Sequence, residues 1–170
     1  IVREADRLRK LVDRMLGPRD RPRWQWLNLH EILTHVRHLI EAEAPAGVSL
    51  STDFDPSIPD FYGDRDMLVQ ALLNIVRNAL QAVAPCGRIG LRTRIRRQYT
   101  IGHRRHRLLA CIEIIDNGPG IPVELREQIF YPMVSGRHQG SGLGLSIAQS
   151  LINEHDGLVE CDSEPGHTVF

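Results

Sequence analysis

Three short runs of this chain have residue types and spacings that could do chemistry: Asn74-Ile-Val-Arg-Asn78, Asp116-Asn-Gly-Pro-Gly120 and Gly140-Ser-Gly142-Leu143-Gly144-Leu145. On a helix that turns about 100° per residue, Asn74 and Asn78 sit roughly 40° apart, one turn from each other. Two amide oxygens stacked in that way can reach a hard cation. Mg²⁺ takes oxygen ligands and keeps several waters, so one or two protein oxygens plus phosphates suffice. Asp116 closes an apolar run, where a carboxylate is costly to bury unless it is paired or hydrogen-bonded. The exocyclic amino group of adenine is one donor that could satisfy it, and Gly118 and Gly120 would let the backbone approach a flat base. Gly140 to Gly144 leads into a helix, whose first N–H groups and dipole make a phosphate site. Plainer accounts exist: two surface asparagines on a helix, and a D-N-G turn with no ligand.

The chain holds a single lysine, Lys10, far from every glycine-rich run. No Gly-Lys-Ser/Thr occurs, so there is no P-loop, and the third glycine of 140–144 comes too early for a dinucleotide fingerprint. A protein-kinase strand lysine is also absent. Any phosphates must therefore be held by backbone amides, a metal and arginine. Arg137, at the end of the preceding loop, is the best placed; Arg77, between the asparagines, is weaker and reads as facing solvent. His30-Glu31 opens like a zinc-protease helix, but position 34 is Thr and His35 comes one residue late. His30, His35 and His38 read as solvated helix residues. Arg92, Arg94 and Arg96 share a strand face by period two, and residues 92–107 are locally basic. They read as a solvated sheet face and hairpin tip, or as a docking surface for an acidic partner or RNA.

The elements that must position these runs follow from periodicity. Ile1, Ala5, Leu8, Val12 and Met15 give residues 1–16 a coiled-coil seam, ended by Gly17-Pro18. A helix this short is marginal alone, so its seam calls for a partner. Residues 18–23 read as a linker. Residues 24–27 alternate as a strand, and Asn28 can cap a helix from Leu29 to about Glu43. Residues 48–54 read as a strand and 56–62 as a loop. Asp64 can cap a helix running to about Val83, with a stripe from Leu68 to Val83. Residues 88–100 and 107–116 read as a long hairpin, 117–141 as a loop with little periodicity, 143–155 as a helix, and 158–162 with 167–170 as a last hairpin.

Composition narrows the class. At 170 residues and 42% apolar, one globular domain with a small appendage is expected. Net charge is zero, which removes a global electrostatic case for nucleic acid. No run spans a membrane, no leader opens the chain, and the start at Ile1 reads as a fragment cut inside a helix. Cys86, Cys111 and Cys161 are scattered, as in a cytoplasmic protein with reduced thiols.

Asn on a helix, D-x-G-x-G after a strand and G-x-G-x-G before a helix, in that order, resemble the ATP site shared by sensor histidine kinases, Hsp90, gyrase B and MutL. Asn74 to Asn78 is similar to that superfamily's N box, Asp116 to Gly120 to its G1 box, Ile129-Phe130-Tyr-Pro-Met to its F box, and Gly140 to Leu145 to its G2 box. Residues 5–18 and 130–137 extend the likeness toward the nitrogen-regulation (NtrB) sensor kinases. The resemblance implies an α/β two-layer sandwich of the Bergerat type, a mixed sheet of about five strands with helices on one face. It divides the chain into the second helix of a dimerisation hairpin (1–17), a linker (18–23) and an ATP-binding catalytic domain (24–170). It makes Asn78 the main Mg²⁺ ligand with Asn74 beside it, Asp116 the adenine acceptor, and Gly118 and Gly120 the shapers of the base pocket. Residues 121–141 become a lid anchored by Phe130, and Gly140, Gly142, Leu143 and Gly144 supply phosphate amides.

The implied activity is protein-histidine kinase. The γ-phosphoryl group of ATP would go to a histidine and then to a response-regulator aspartate. The implied partners are ATP or ADP, the enzyme's own phospho-acceptor segment, a response regulator, a nitrogen-signal protein and a second copy. Three departures stand out. Asn74 replaces the Glu that serves ATPase members as a general base. Gln81 replaces a basic residue. The acceptor motif His-Glu-x-Lys/Arg-Asn-Pro is missing. An Hsp90- or MutL-like ATPase clamp and a partner-binding module with a dead nucleotide site are the alternatives.

Overall fold

The structure, a computed structural model, describes residues 22–134 and 142–170. Its elements run β1 (Trp24–Leu27), α1 (Leu29–Glu43), β2 (Gly47–Asp53), β3 (Phe61–Asp64), α2 (Arg65–Val83), β4 (Cys86–Ile101), β5 (Arg104–Asp116), α3 (Val123–Arg126), α4 (Gly144–Asn153), β6 (Asp162–Glu164) and β7 (His167–Val169). The expected first helix, residues 1–17, and most of the linker lie outside the described residues.

Alternation along β4 explains the two layers. Ile89, Leu91 and Thr93 are buried, whereas Arg88 and Arg92 point the other way and are exposed. The buried face meets Ile32, Leu33, Val36 and Ile40 of α1, the stripe of α2, and Ala148 and Leu151 of α4 in one core. The sheet order is β2-β4-β5-β7-β6, with β2 parallel to β4 and every other pair antiparallel. This is the mixed five-stranded α/β sandwich that the sequence implied. No helix among the described residues is long and apolar enough to cross a membrane.

Several boundaries differ from expectation. Phe61 and Tyr62, read as loop, belong to β3, which pairs antiparallel with β1 in a separate two-stranded sheet. Its partner lies far back in the chain, and Pro59-Asp60 hides the strand from local pattern. The 117–141 stretch contains α3, a single turn too short to show a period. Residues 158–161 form no ladder, and the last pair starts at Asp162. Phe170 extends it, exchanging both backbone bonds with Ile114 at 2.9 and 3.0 Å.

Asp64 joins three elements. Its Oδ1 accepts the Met67 N–H at 3.0 Å and caps α2, its Oδ2 accepts the Arg23 N–H, and its own N–H donates to His155 Nε2 at 3.0 Å. His155 Nδ1 in turn donates to the Leu151 carbonyl of α4 at 2.7 Å, and Trp24 of β1 packs against the ring at 4.9 Å between centroids. A backbone N–H can only donate and a carbonyl can only accept, so the ring is the neutral Nδ1–H tautomer. Replacing Asp64 by Ala removes a helix cap and the acceptor for Arg23. Urea unfolding of Asp64→Ala is expected to show a loss of about 2 kcal/mol, with Asp64→Ser recovering part of it through the cap alone.

Candidate functional site

Asn74, Asn78 and Ala82 form one row of α2, spaced by four residues and spanning about 12 Å along the axis. At one end of the row sits the start of α4: a Cβ placed on Gly144 would lie 3.9 Å from the Asn74 Cβ. At the other end sits the turn after β5: a Cβ on Gly118 would lie 2.9 Å from the Ala82 Cβ and 2.8 Å from Asp116 Oδ1. Only glycine fits there. Asn78 lies between the two, half-buried like Asn74. One helix therefore carries the two amides and brings the Asp116 turn and the glycine start of α4 to the two ends of its row.

Asp116 is buried at 3% exposure, and its Oδ1 accepts the Gly118 N–H at 2.9 Å. The turn is fastened on both sides. Asn117 Oδ1 accepts the Arg88 N–H at 2.6 Å, locking the turn to the start of β4. The Gly118 carbonyl accepts from Gly166 at 2.8 Å, and the Ile121 N–H donates to Ser163 Oγ at 2.9 Å, itself 2.8 Å from Thr168 Oγ1. Gly120, at φ +82°, presses against the Glu164 carbonyl, which a Cβ would approach to 2.9 Å. Asn117, Ser163 and Thr168 were not singled out from sequence. The two hydroxyls carry no local signal, because their role depends on the last hairpin folding back over the turn.

The segment from 121 onward is pinned at its neck. Met133 donates to the Gly142 carbonyl at 3.0 Å, and Gly142, at φ +64°, lies so close that a Cβ would meet the Met133 carbonyl carbon at 2.6 Å. Phe130 is half-buried and meets Phe170 edge-on at 6.5 Å, beside buried Ile129. Leu143 is 2% exposed and gives α4 no side-chain cap. Helix-start amides left without a side-chain cap are suited to an anion. Arg137 and Gly140, also expected at this site, lie outside the described residues.

Two readings of the surrounding residues are corrected. Arg77 does not simply face solvent: it makes a two-pronged bond with Glu43 at 2.6 and 3.0 Å, joining α1 to α2. That bond holds the Glu43 carboxyl below the usual carboxylate range and raises Arg77 further. His30 is not a solvated residue either. It stacks on Phe54 at 5.0 Å and lies 3.1 Å from the hydroxyl of fully buried Thr93.

Among the described residues no three His, Cys, Asp or Glu side chains are grouped to hold a metal. The donors that fit a hard cation are the amide oxygens of Asn74 and Asn78, which suit Mg²⁺ shared with phosphates rather than a site closed by protein alone. Cys161 packs against the core close to Asp116, and burial, followed by the Asp116 charge, pushes its thiol up to about 11.

Two measurements check this geometry. Gly120→Ala is expected to lower the melting midpoint by at least about 3 °C, because a side chain at positive φ meets fixed backbone, whereas Gly90→Ala, whose nearest neighbour would be at 3.6 Å, leaves it unchanged. In iodoacetamide labelling at pH 8, exposed Cys86 is expected to react first. Cys161, protonated until the pH approaches about 11, stays unlabelled in the native state.

Residues 63–170 match the family model described as histidine kinase-, DNA gyrase B- and HSP90-like ATPase. The chain is 50% identical over its whole length to the sensory histidine kinase/phosphatase NtrB of Vibrio alginolyticus and 52% identical to that of Escherichia coli O157:H7. It spans about half the length of these curated relatives, 49% of each. Among solved structures, the nucleotide-free catalytic domain of histidine kinase ThkA superposes with a TM-score of 0.73 at 29% identity, covering 87% of this chain and 92% of that one. The match runs from β3 to the end of the chain and takes in all three motif runs, so the chain belongs to the histidine kinase-, DNA gyrase B- and HSP90-like ATPase family.

Proposed function

We propose that this chain is the ATP-binding catalytic part of a nitrogen-regulation sensor histidine kinase. The γ-phosphoryl group of ATP would pass to a histidine, leaving ADP, and then to a response-regulator aspartate, in the cytoplasm. The observation that carries the reading is the Asn74–Asn78–Ala82 row of α2, with the Asp116 turn at one end and the glycine start of α4 at the other. In this reading Asp116 accepts the adenine amino group, and the closed Gly118 turn gives the flat base a floor. Asn78, with Asn74 beside it, offers oxygen to Mg²⁺. Gly142, Leu143 and Gly144 direct N–H groups at the phosphates. Phe130 and the pinned neck at Met133 and Gly142 hold a lid over them. Mg²⁺, when bound, neutralises charge on the transferring group.

Phosphoryl transfer of this kind asks the protein mainly for position and charge stabilisation. No residue on the α2 row can take a proton from water: the position where ATPase members carry Glu is Asn74. That favours transfer to a side chain over hydrolysis. Of the eight histidines, none lies in a His-Glu-x-Lys/Arg-Asn-Pro motif, so the chain is not expected to label itself from radioactive ATP.

Calorimetric titration with ADP is the test. Binding that requires Mg²⁺, weakens at least tenfold in Asn78→Ala and is lost in Asp116→Ala is expected. Binding indifferent to Mg²⁺ and to both substitutions would overturn the reading in favour of a dead site. Sustained ATP hydrolysis abolished by Asn74→Ala would point instead to a clamp ATPase.

A further inference from the structure

The β6–β7 hairpin closes on the turn after β5 at three points. The Gly166 N–H donates to the Gly118 carbonyl at 2.8 Å, Gly120 lies against the Glu164 carbonyl, and the Ile121 N–H donates to Ser163 Oγ at 2.9 Å. The first two are backbone contacts. The third depends on a side chain, and it falls where the turn passes into residues 121–134. The Ile121 carbonyl is held as well, accepting from Arg126 Nε of α3 at 3.1 Å. Both backbone groups of Ile121 are thus fastened, one by β6 and the other by α3.

Ser163 belongs to a longer row. Asp116 of β5 stands opposite Thr168 of β7, and Thr168 stands opposite Ser163 of β6. All three lie on the sheet face that carries Ile114 into the core, and each is 3% exposed. A buried hydroxyl is costly unless it is bonded, and these two lie 2.8 Å apart. Each hydroxyl has one hydrogen to give and two lone pairs to receive. Ser163 already receives the Ile121 N–H. When Ser163 gives its hydrogen to Thr168, the Thr168 hydrogen is left for the next acceptor in the row, the Asp116 carboxylate. Residues opposite each other in an antiparallel ladder have Cβ atoms about 5 Å apart, within reach of such a bond. The reverse direction would leave the Ser163 hydrogen without an acceptor on the row. The chain of donors therefore runs from Ile121 through Ser163 and Thr168 toward Asp116.

We infer that, given Asp116 as the acceptor for a base amino group in the proposed nucleotide site, Ser163 is a positioning residue of that site: through Thr168 it couples the occupant of Asp116 to the anchoring of Ile121. An amino group arriving at Asp116 replaces water as donor and shuts water out. Bonds left in the row strengthen as the local dielectric falls, and neighbouring bonds in a chain polarise one another. A base on Asp116 tightens the hold on Ile121, and an Ile121 held in place favours the base by the same factor. Ser163 does this without touching the base.

The experiment is amide-resolved hydrogen exchange by NMR on the isotope-labelled 170-residue chain. The Ile121 rate is read relative to that of Val36 in α1, a fully buried position that reports global opening. Without nucleotide, Ser163→Ala is expected to raise this ratio about fivefold, the size of one lost bond. Thr168→Val keeps the shape, removes the hydroxyl and leaves the Ile121 acceptor in place, yet it raises the ratio too. Thr168→Ser, which keeps the hydroxyl, leaves the ratio as in the wild type. Saturating ADP with Mg²⁺ lowers the ratio in the wild type and not in Ser163→Ala. A ratio unmoved by either Ser163→Ala or Thr168→Val, indifferent to bound ADP, or lowered equally by ADP in both chains would overturn the coupling and leave the nucleotide reading standing. Absence of ADP binding to the wild type would overturn that reading and the coupling with it.

Discussion

The close contact between Gly118 and Ala82 is the constraint that the rest of the site depends on. With a Cβ at 118 excluded by the Ala82 Cβ, the Ala82 carbonyl and Asp116 Oδ1, the turn after β5 can lie flat against α2. Only then does the Asp116 carboxylate fold back on the Gly118 N–H, buried, four residues along the helix from Asn78. Because α2 is one unbroken helix from Arg65 to Val83, fixing its C-terminal end at this turn also fixes where Asn74 meets the start of α4. A rigid rod with one glycine contact at its middle and one at its C-terminal end is a simple way to set the distance between two elements that are far apart in sequence.

The opposite end of the rod is held just as firmly. Asp64 caps α2 and receives the Arg23 N–H, while His155 receives the Asp64 N–H and ties in α4 through Leu151. Hence α2 and α4 are joined near one end by a polar node and near the other by the Asn74–Gly144 contact. Arg23, just before β1, sits on that same node through its backbone N–H.

Much of this was legible in the sequence. The α1 and α2 stripes, the Asn28 and Asp64 caps and the continuous apolar run of β5 are local signals, and each produced the element expected of it. The motif runs were legible by type and order, because glycine at 118, 120 and 142 answers to steric facts that no other residue satisfies. Other features were hidden because they are made by distant partners. β3 exists through β1, and the hydroxyl pair of Ser163 and Thr168 acquires its role only when the last hairpin closes over the turn. His30 read as solvated because nothing nearby announces Phe54 and Thr93. Arg77 read as free because Glu43 lies on another helix.

The arrangement of charge bears on how the proposed phosphate site would do without lysine. Arg77, the arginine nearest the asparagines in sequence, is committed to Glu43. Eight more arginines stand on the hairpin. What remains for phosphate among the described residues is the start of α4, a helix that begins with glycine and carries no side-chain cap. A helix start offers partial positive charge and several N–H groups without the flexibility of a long side chain. The cation would enter through amide oxygens that are neutral whether or not it is present. A neutral set of ligands keeps Asn74 and Asn78 tolerable at half burial when nothing is bound, where carboxylates in the same places would repel both each other and the phosphates. The same economy leaves the eight arginines of the β4–β5 hairpin outside the proposed nucleotide site.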